Sequence, residues 1–251
     1  MDQRHQEPGT QPDLSVQLSV LVPLHDEEDN VVPLHQVLTS ALMPLELRYE
    51  LLFVDDGSTD ATAAALDSLA AQDKNLTVLR HESRRGKAAA LDSAIAQATG
   101  GWILIMDGDL QYDPGDIPAL LDALRGGGDV VSGRRDGRLD PWRRRTASRA
   151  YNALVNGLAG TRFRDHFSGL KGFRAEALAR MDRADGMSRF PLVAAAYSGM
   201  EVREVPIKHK ERGCGSSSYS MLSLSRLAIT DLLALLPFLL RSKSSGHRPS
   251  S

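Results

Sequence analysis

Short apolar runs alternate along this chain with segments in which apolar positions return every third or fourth residue. The runs Val16 to Leu24, Tyr49 to Val54, Leu76 to Leu79, Trp102 to Met106 and Asp129 to Ser132 predict strands. Asp29 to Met43, Ala61 to Ala71, Lys87 to Ala98 and Pro114 to Arg125 carry the helical spacing between them. A further strand is predicted at Val202 to Ile207. Strand–helix alternation of this kind predicts an α/β domain, a mostly parallel sheet covered by helices on both faces. Parallel strands deliver their last residues to a ligand crevice, so the strand ends are where chemistry is expected.

Two of those ends are acidic. Trp102 to Met106 runs into Asp107-Gly108-Asp109, and Leu51 to Val54 into Asp55-Asp56-Gly57-Ser58-Thr59-Asp60. Residues two apart on an extended segment share a face. Asp107 and Asp109 would then converge on one point, where two carboxylates repel unless a cation lies between them. Mg2+ suits such a set, taking one or two carboxylates plus substrate phosphates, and Gln111 adds a neutral oxygen one alternation further on. Ser58, Thr59 and Asp60 either serve the site or cap the helix that follows. The pair Asp55-Asp56 exceeds what capping needs.

Length fits one domain of 251 residues, and 42% hydrophobic content is enough for a substantial core. A net charge of −2 argues against a dedicated nucleic-acid binder. Cys214 stands alone, which excludes an internal disulfide or a cysteine zinc site and suits a reducing compartment. Residues 1–15 are polar and read as a disordered leader without a signal-peptide core. The chemistry-bearing domain is placed at 16–220, an apolar helix at 221–240 and a disordered tail at 241–251. That helix, flanked by Arg226, Arg241 and Lys243, is too short in its apolar part to span a bilayer. It reads either as packed on the domain or as lying on an anionic membrane surface.

Basic residues gather in three places. Arg84-Arg85-Gly86-Lys87 opens a helix, whose free N–H groups can hold phosphate. Seven arginines fall between Arg134 and Arg149, either as a solvated helix face or as a site for phosphate or anionic lipid. The stretch Lys208 to Ser218 mixes bases with small residues, as a loop that closes over an anionic ligand would.

Together these motifs resemble the family 2 glycosyltransferases of GT-A (Rossmann-like) fold, in the polyprenyl-phosphate branch typified by dolichyl-phosphate mannosyltransferase. The likeness runs from about Leu18 to Tyr219. It is carried by Val22-Pro23 with Glu27, Val54 to Asp60, Arg85-Gly86-Lys87, Asp107 to Gln111, Ser132-Gly133-Arg134, Asp165 to Gly169, Glu204-Val205-Pro206, and Arg212 with Gly215 and Ser217. The resemblance implies that Pro23, His25, Glu27, Asp55, Asp56 and Lys87, with Asp107, Gly108 and Asp109, bind a UDP- or GDP-sugar. It implies Mg2+ or Mn2+ on Asp107, Asp109 and Gln111. Arg134, Arg144, Ser148, Arg212 and Ser217 would face the phosphate of a polyprenyl phosphate. Catalytic roles would fall to Asp107, Asp109, Arg212 and Asp165, the last as base or orienter, or merely bonded to the Ser168-Gly169 turn. Ser218 replaces a common Lys, and His25 a common Tyr that stacks on the base.

A phosphate acceptor is already nucleophilic near neutral pH, since a phosphomonoester's second pKa is about 6. The expected work is therefore charge stabilisation of the leaving diphosphate and positioning of two anions. One displacement would invert the anomeric centre. The expected setting is the cytoplasmic face of a membrane, with peripheral attachment and no nucleic acid. Transfer to a soluble or polysaccharide hydroxyl, and a silent module binding nucleotide sugar or membrane, are the competing readings.

Overall fold

The computed structural model describes residues 16–136, 142–181 and 190–210; for 142–145 and 147 it describes the backbone alone. The predicted leader, the stretch 221–240 and the tail lie outside the described residues, as do Arg212, Ser217 and Ser218.

Seven strands form one sheet: β1 (Leu18–Leu24), β2 (Tyr49–Asp55), β3 (Leu76–Arg80), β4 (Trp102–Ile105), β5 (Val130–Arg135), β6 (Lys171–Arg174) and β7 (Val202–Ile207). Their order is β3-β2-β1-β4-β6-β5-β7. All neighbours are parallel except at β6, which runs antiparallel to both β4 and β5. Two reversals restore direction, so β5 and β7 point the same way as β1, β2 and β4. The start of β6 therefore meets the ends of its neighbours: Lys171 lies opposite Ile105 and Ser132.

Alternation along each buried strand divides the core into two layers. Leu18, Val20, Val22, Leu51 and Phe53 face α1 (Glu28–Leu42), α2 (Thr62–Ala70) and α4 (Ile117–Arg125). Leu21, Leu52, Val54 and Phe173 face α3 (Lys87–Gln97), α5 (Trp142–Ala159), α6 (Ala175–Arg180) and α7 (Pro191–Tyr197). Helix α4 shows how sequence sets this. Ile117, Leu120, Leu121 and Leu124 recur at helical spacing and are all buried, while Asp122 and Arg125 lie outside. Pro118 sits in its first turn, where no N–H is needed, and Gly126 ends it.

Within the described residues the predicted elements are present with small shifts at their ends. The strand read from Val16 begins at Leu18, and Pro114–Asp116 is a separate 3-10 turn ahead of α4. Strand β6 and helices α6 and α7 were not predicted; β6 has four residues, two of them basic, and shows no apolar run. Among the described residues no helix is long and apolar enough to cross a membrane.

Candidate active site

The carboxyl edge of the sheet collects the acidic motifs. Pro23 pairs with Val54 near the end of β1, and Leu24 with Asp55. Beyond them the loops after β1 and β2 interlock. Thr59 donates its backbone N–H to Asp26 Oδ1 at 2.7 Å, Asp26 donates its own to Ser58 Oγ at 3.0 Å, and Glu28 donates to Asp60 Oδ2 at 3.2 Å. Glu27 donates its backbone N–H to Thr62 Oγ1 and accepts from Asn30 Nδ2 with its carboxylate. Ser58 and Thr59 thus tie two loops together, and Asp60 also accepts from Thr62 N at 2.9 Å at the start of α2, whose N-cap residue is Ala61. His25 stands in this region with Nε2 3.3 Å from Asp26 Oδ2 and a buried Nδ1 that has no partner among the described residues.

Asp55 and Asp56 are both buried and each braces a turn. Asp55 accepts from Ser58 N at 2.9 Å. Asp56 takes His81 Nδ1 at 2.7 Å, Arg85 N at 2.8 Å and Gly86 N at 2.7 Å. Burial pushes the Asp56 carboxyl up, but these three donors outweigh it and the net direction is down. Asp56 therefore sets the start of α3, where Gly86 at φ +91° makes a turn that a side chain would strain; Asp55 braces the loop after β2 instead. His81 was not singled out in sequence, and it continues from Asp56 to Ser93 Oγ at 2.9 Å.

Asp107, Gly108 and Asp109 do not extend β4, as the alternation argument required. The strand ends at Ile105, and a bend follows in which Leu110 has φ +60°. A bulky residue in the left-handed region is a real outlier, of the kind held at sites whose surroundings over-determine it. Gly108 lies so close to the Leu24 side chain that a Cβ would overlap it. The bend leaves Asp107 partly exposed and Asp109 buried, with Asp109 Oδ1 accepting from Gln111 N at 3.2 Å. Lys87, the first residue of α3, places its ammonium on Asp107 Oδ1. A cationic group thus already sits on Asp107, one of the carboxylates for which the sequence calls for a cation. Among the described residues no group of three or more His, Cys, Asp or Glu is arranged to hold a metal. The candidate ligands are thus two carboxylates and an amide, a set that substrate oxygens would complete.

On the neighbouring side of the edge, Arg134, Arg149, Arg164 and Ser148 line a cavity of about 460 Å³. Arg134 is paired in two-pronged fashion with Asp136, at 2.9 and 2.8 Å. Asp165 forms the same kind of pair with Arg135, both side chains buried. The loop bearing Asp165 is fixed to β7, since Glu204 accepts from the backbone N–H groups of Arg164 and Asp165. A carboxylate so engaged is suited to orient an arginine rather than to take a proton.

Residues 19–182 match the family described as glycosyl transferase family 2. The chain is a family 2 glycosyltransferase. It is 33% identical over 221 residues to the undecaprenyl-phosphate 4-deoxy-4-formamido-L-arabinose transferase of Proteus mirabilis, covering 87% of this chain and 67% of that one. It is 33% identical over 238 residues to the dodecaprenyl-phosphate galacturonate synthase of Rhizobium johnstonii, covering 93% and 70%. This glycosyltransferase therefore spans about two thirds of these relatives' length. Its fold is similar to glucosyl-3-phosphoglycerate synthase of Mycobacterium tuberculosis, solved with Mn2+, UDP-glucose and phosphoglyceric acid. The TM-score is 0.64 at 20% identity, over 94% of this chain and 86% of that one. The α/β, GT-A fold class expected from the sequence is the fold observed.

The glycosyltransferase edge brings His25, Asp56, Lys87, Asp107, Asp109 and Gln111 to one region and Arg134, Ser148 and Asp165 to the region beside it. Arg144 lies in α5 by its backbone, and its side chain is outside the description. Arg164 and Lys171 were not chosen from sequence. Arg164 is a single base beside Asp165, and Lys171 is hidden in the short strand β6. The spacing of Lys171 from Gly169 was the one signal that could have pointed to it.

Proposed function

We propose that this glycosyltransferase moves a sugar from a UDP- or GDP-sugar to a polyprenyl phosphate at the cytoplasmic face of a membrane. The observation that carries the proposal is the arginine-lined cavity beside the acidic strand end. A donor diphosphate and an acceptor phosphate are both anions, and the two adjoining regions divide the charges they need. The undecaprenyl-phosphate and dodecaprenyl-phosphate relatives support this acceptor class.

Asp107, Asp109 and Gln111 would hold Mg2+ or Mn2+; when bound, the ion supplies positive charge to the diphosphate. The Mn2+ and UDP-glucose in the mycobacterial synthase support that assignment. Lys87 would turn from Asp107 to the diphosphate. Pro23, His25, Glu27 and the turn braced by Asp55 and Asp56 would form the nucleoside side, with Gly108 allowing close approach. Arg134 and Ser148 would hold the acceptor phosphate together with Arg149 and Arg164, and with Arg144, Arg212 and Ser217 as the sequence resemblance implies. Asp165 fixes Arg135 at the cavity wall and so positions the acceptor side. The acceptor oxygen needs no strong base, because the phosphate is largely dianionic near neutral pH. Direct attack on the anomeric carbon gives inversion. The apolar stretch 221–240 is the proposed peripheral membrane contact.

The test is transfer to a short polyprenyl phosphate with a panel of UDP- and GDP-sugars and Mn2+ or Mg2+, with Asp109→Ala as the blank. Turnover with one donor, absent from the blank and giving the inverted anomer by NMR, is the expected result. Donor hydrolysis without transfer, or transfer to a soluble sugar hydroxyl instead, overturns the acceptor assignment.

A further inference from the structure

A second cavity, of about 170 Å³, is lined by Lys87, His166 and Lys171, with Phe173 and Leu91 among its apolar residues. Clefts for drug-sized ligands measure about 300–1,000 Å³, so this one suits a single ring and not a whole nucleotide sugar. Its polar groups define what ring that is.

The state of His166 follows from its neighbour. Asn156 donates Nδ2–H to the Phe163 carbonyl and accepts from Phe163 N and Thr161 Oγ1 with Oδ1, which fixes the amide orientation. That same Oδ1 lies 2.9 Å from His166 Nε2, so Nε2 carries the hydrogen and donates it. Burial, followed by the nearby Lys171 ammonium, pushes the imidazole pKa down to about 4, so the ring is neutral near pH 7. Nδ1 is left as a bare acceptor, buried and without a partner among the described residues. A neutral lone pair in that position repels phosphate or carboxylate oxygens and accepts only from an N–H or O–H.

Lys171 is the complementary group. Its ammonium is buried and donates to the Ser168 carbonyl, its hydrogen-bond partner among the described residues. Two of its three N–H donors remain to be satisfied. An acceptor beside a cationic donor, against an apolar wall, matches hydroxyl groups on a ring: a hydroxyl donates to one and accepts from the other. Lys87 lines the same cavity and is paired with Asp107, which ties the cavity to the proposed diphosphate side.

We propose that this cavity is the subsite for the transferred sugar ring, with His166 Nδ1 accepting from a sugar hydroxyl and Lys171 donating to one, so that the two residues set sugar specificity. The subsite presupposes the nucleotide-sugar site proposed above.

The test is calorimetry with Mn2+, comparing UDP and GDP with their hexose and hexuronate conjugates. Wild type, His166→Phe and Lys171→Met are measured in parallel. Conjugation removes an ionisable charge from the terminal phosphate, so each conjugate is compared with itself across the proteins and the bare diphosphate is the control. One conjugate is expected to bind each variant at least tenfold more weakly than it binds wild type. Bare-diphosphate affinity should stay within twofold, which also shows that the variants are folded. Unchanged affinity for every conjugate overturns the proposal, as does equal weakening of the bare diphosphate. If neither UDP nor GDP binds wild type, the donor-site proposal falls first, and the subsite with it. Deoxy analogues of the preferred sugar on unmodified enzyme give an answer free of folding effects. Removal of one hydroxyl should cost at least tenfold, and uniform tolerance of every deoxy position overturns the assignment.

Discussion

Arg135 and Asp165 meet in a buried, two-pronged ion pair, Nε to Oδ2 at 2.7 Å and Nη2 to Oδ1 at 2.8 Å. One residue ends β5 and the other lies in the loop ahead of β6. The pair thereby fixes the wall shared by the arginine-lined cavity and the loop that leads to His166. Removing one partner takes from the other its two-pronged counter-charge in a largely covered position, which costs about 3–5 kcal/mol, whereas replacing both with apolar groups is often neutral. Asp165→Leu should lose that much stability in urea denaturation, and Arg135→Met/Asp165→Leu should regain most of it. A single change costing under about 1 kcal/mol would show that the pair is not dry.

Gly169 is packed against Asp107 so closely that a Cβ would overlap its carboxylate, and its N–H donates to Tyr112 Oη at 2.6 Å. The carboxylate can swing, but the same Cβ would lie 2.8 Å from the ring of buried Tyr112, so Gly169→Ala should displace Asp107 and also cost stability. The expected outcome is a stability loss of about 1–3 kcal/mol and, well below the lowered melting temperature, transfer reduced about 100-fold or more, the order seen when one aimed charge-stabilising group is lost. Loss of Mn2+ binding in the same variant would trace the defect to Asp107. Full activity would mean that Asp107 can be displaced without consequence.

Much of this was legible in the sequence. The strands β1 to β5 and the carboxylates at their ends follow from apolar runs bounded by Gly and Asp. What escaped is long-range. The bend after Ile105 depends on Gly108 meeting Leu24, a contact between neighbouring strands that no local pattern encodes. Asp56 reads as a free acid until β2 and the α3 turn are brought together and His81, Arg85 and Gly86 claim it. Strand β6 has only four residues, Lys-Gly-Phe-Arg, too short and too basic to show the apolar run expected of a strand inside a covered sheet. Lys171 there looks like any surface lysine, and only the antiparallel insertion places it against Ile105 at the site edge.

His166 links the site to pH. Its folded-state pKa of about 4 lies below the unfolded value of 6.5. Between those values the unfolded chain binds one more proton than the folded one, so stability falls as pH drops from 6.5 to 4. The full loss is roughly 3 kcal/mol and levels off below that window. Urea midpoints at pH 7, 5.5 and 4.5 should show this slope in wild type and not in His166→Gln. Asp56, whose pKa is lowered, adds its own loss only as pH falls below the ordinary carboxylate range, which keeps the two effects apart. Equal slopes in both proteins would mean that His166 is hydrated in the fold.

Lys171 sets function against stability. Burial, with the Lys87 ammonium beside it, pushes its pKa from 10.5 down to about 8, and Asp107 and Asp165 offset only part of that. The unfolded chain therefore binds the extra proton between pH 8 and 10.5, so stability rises with pH across that range and is reduced by a constant amount below it. The penalty at pH 7 is on the order of 3 kcal/mol. Lys171→Met keeps the length of the stem, removes the buried charge and gives up one hydrogen bond worth about 1 kcal/mol. It should therefore be more stable than wild type at pH 7 by about 1–2 kcal/mol, and the advantage should shrink as pH approaches 10.5. A group serving only the fold would not be kept at such a cost, whereas a donor awaiting a sugar hydroxyl would. Urea denaturation of both proteins from pH 7 to 10 decides the point. A less stable Lys171→Met at pH 7 would make the ammonium a structural post for the Ser168 carbonyl.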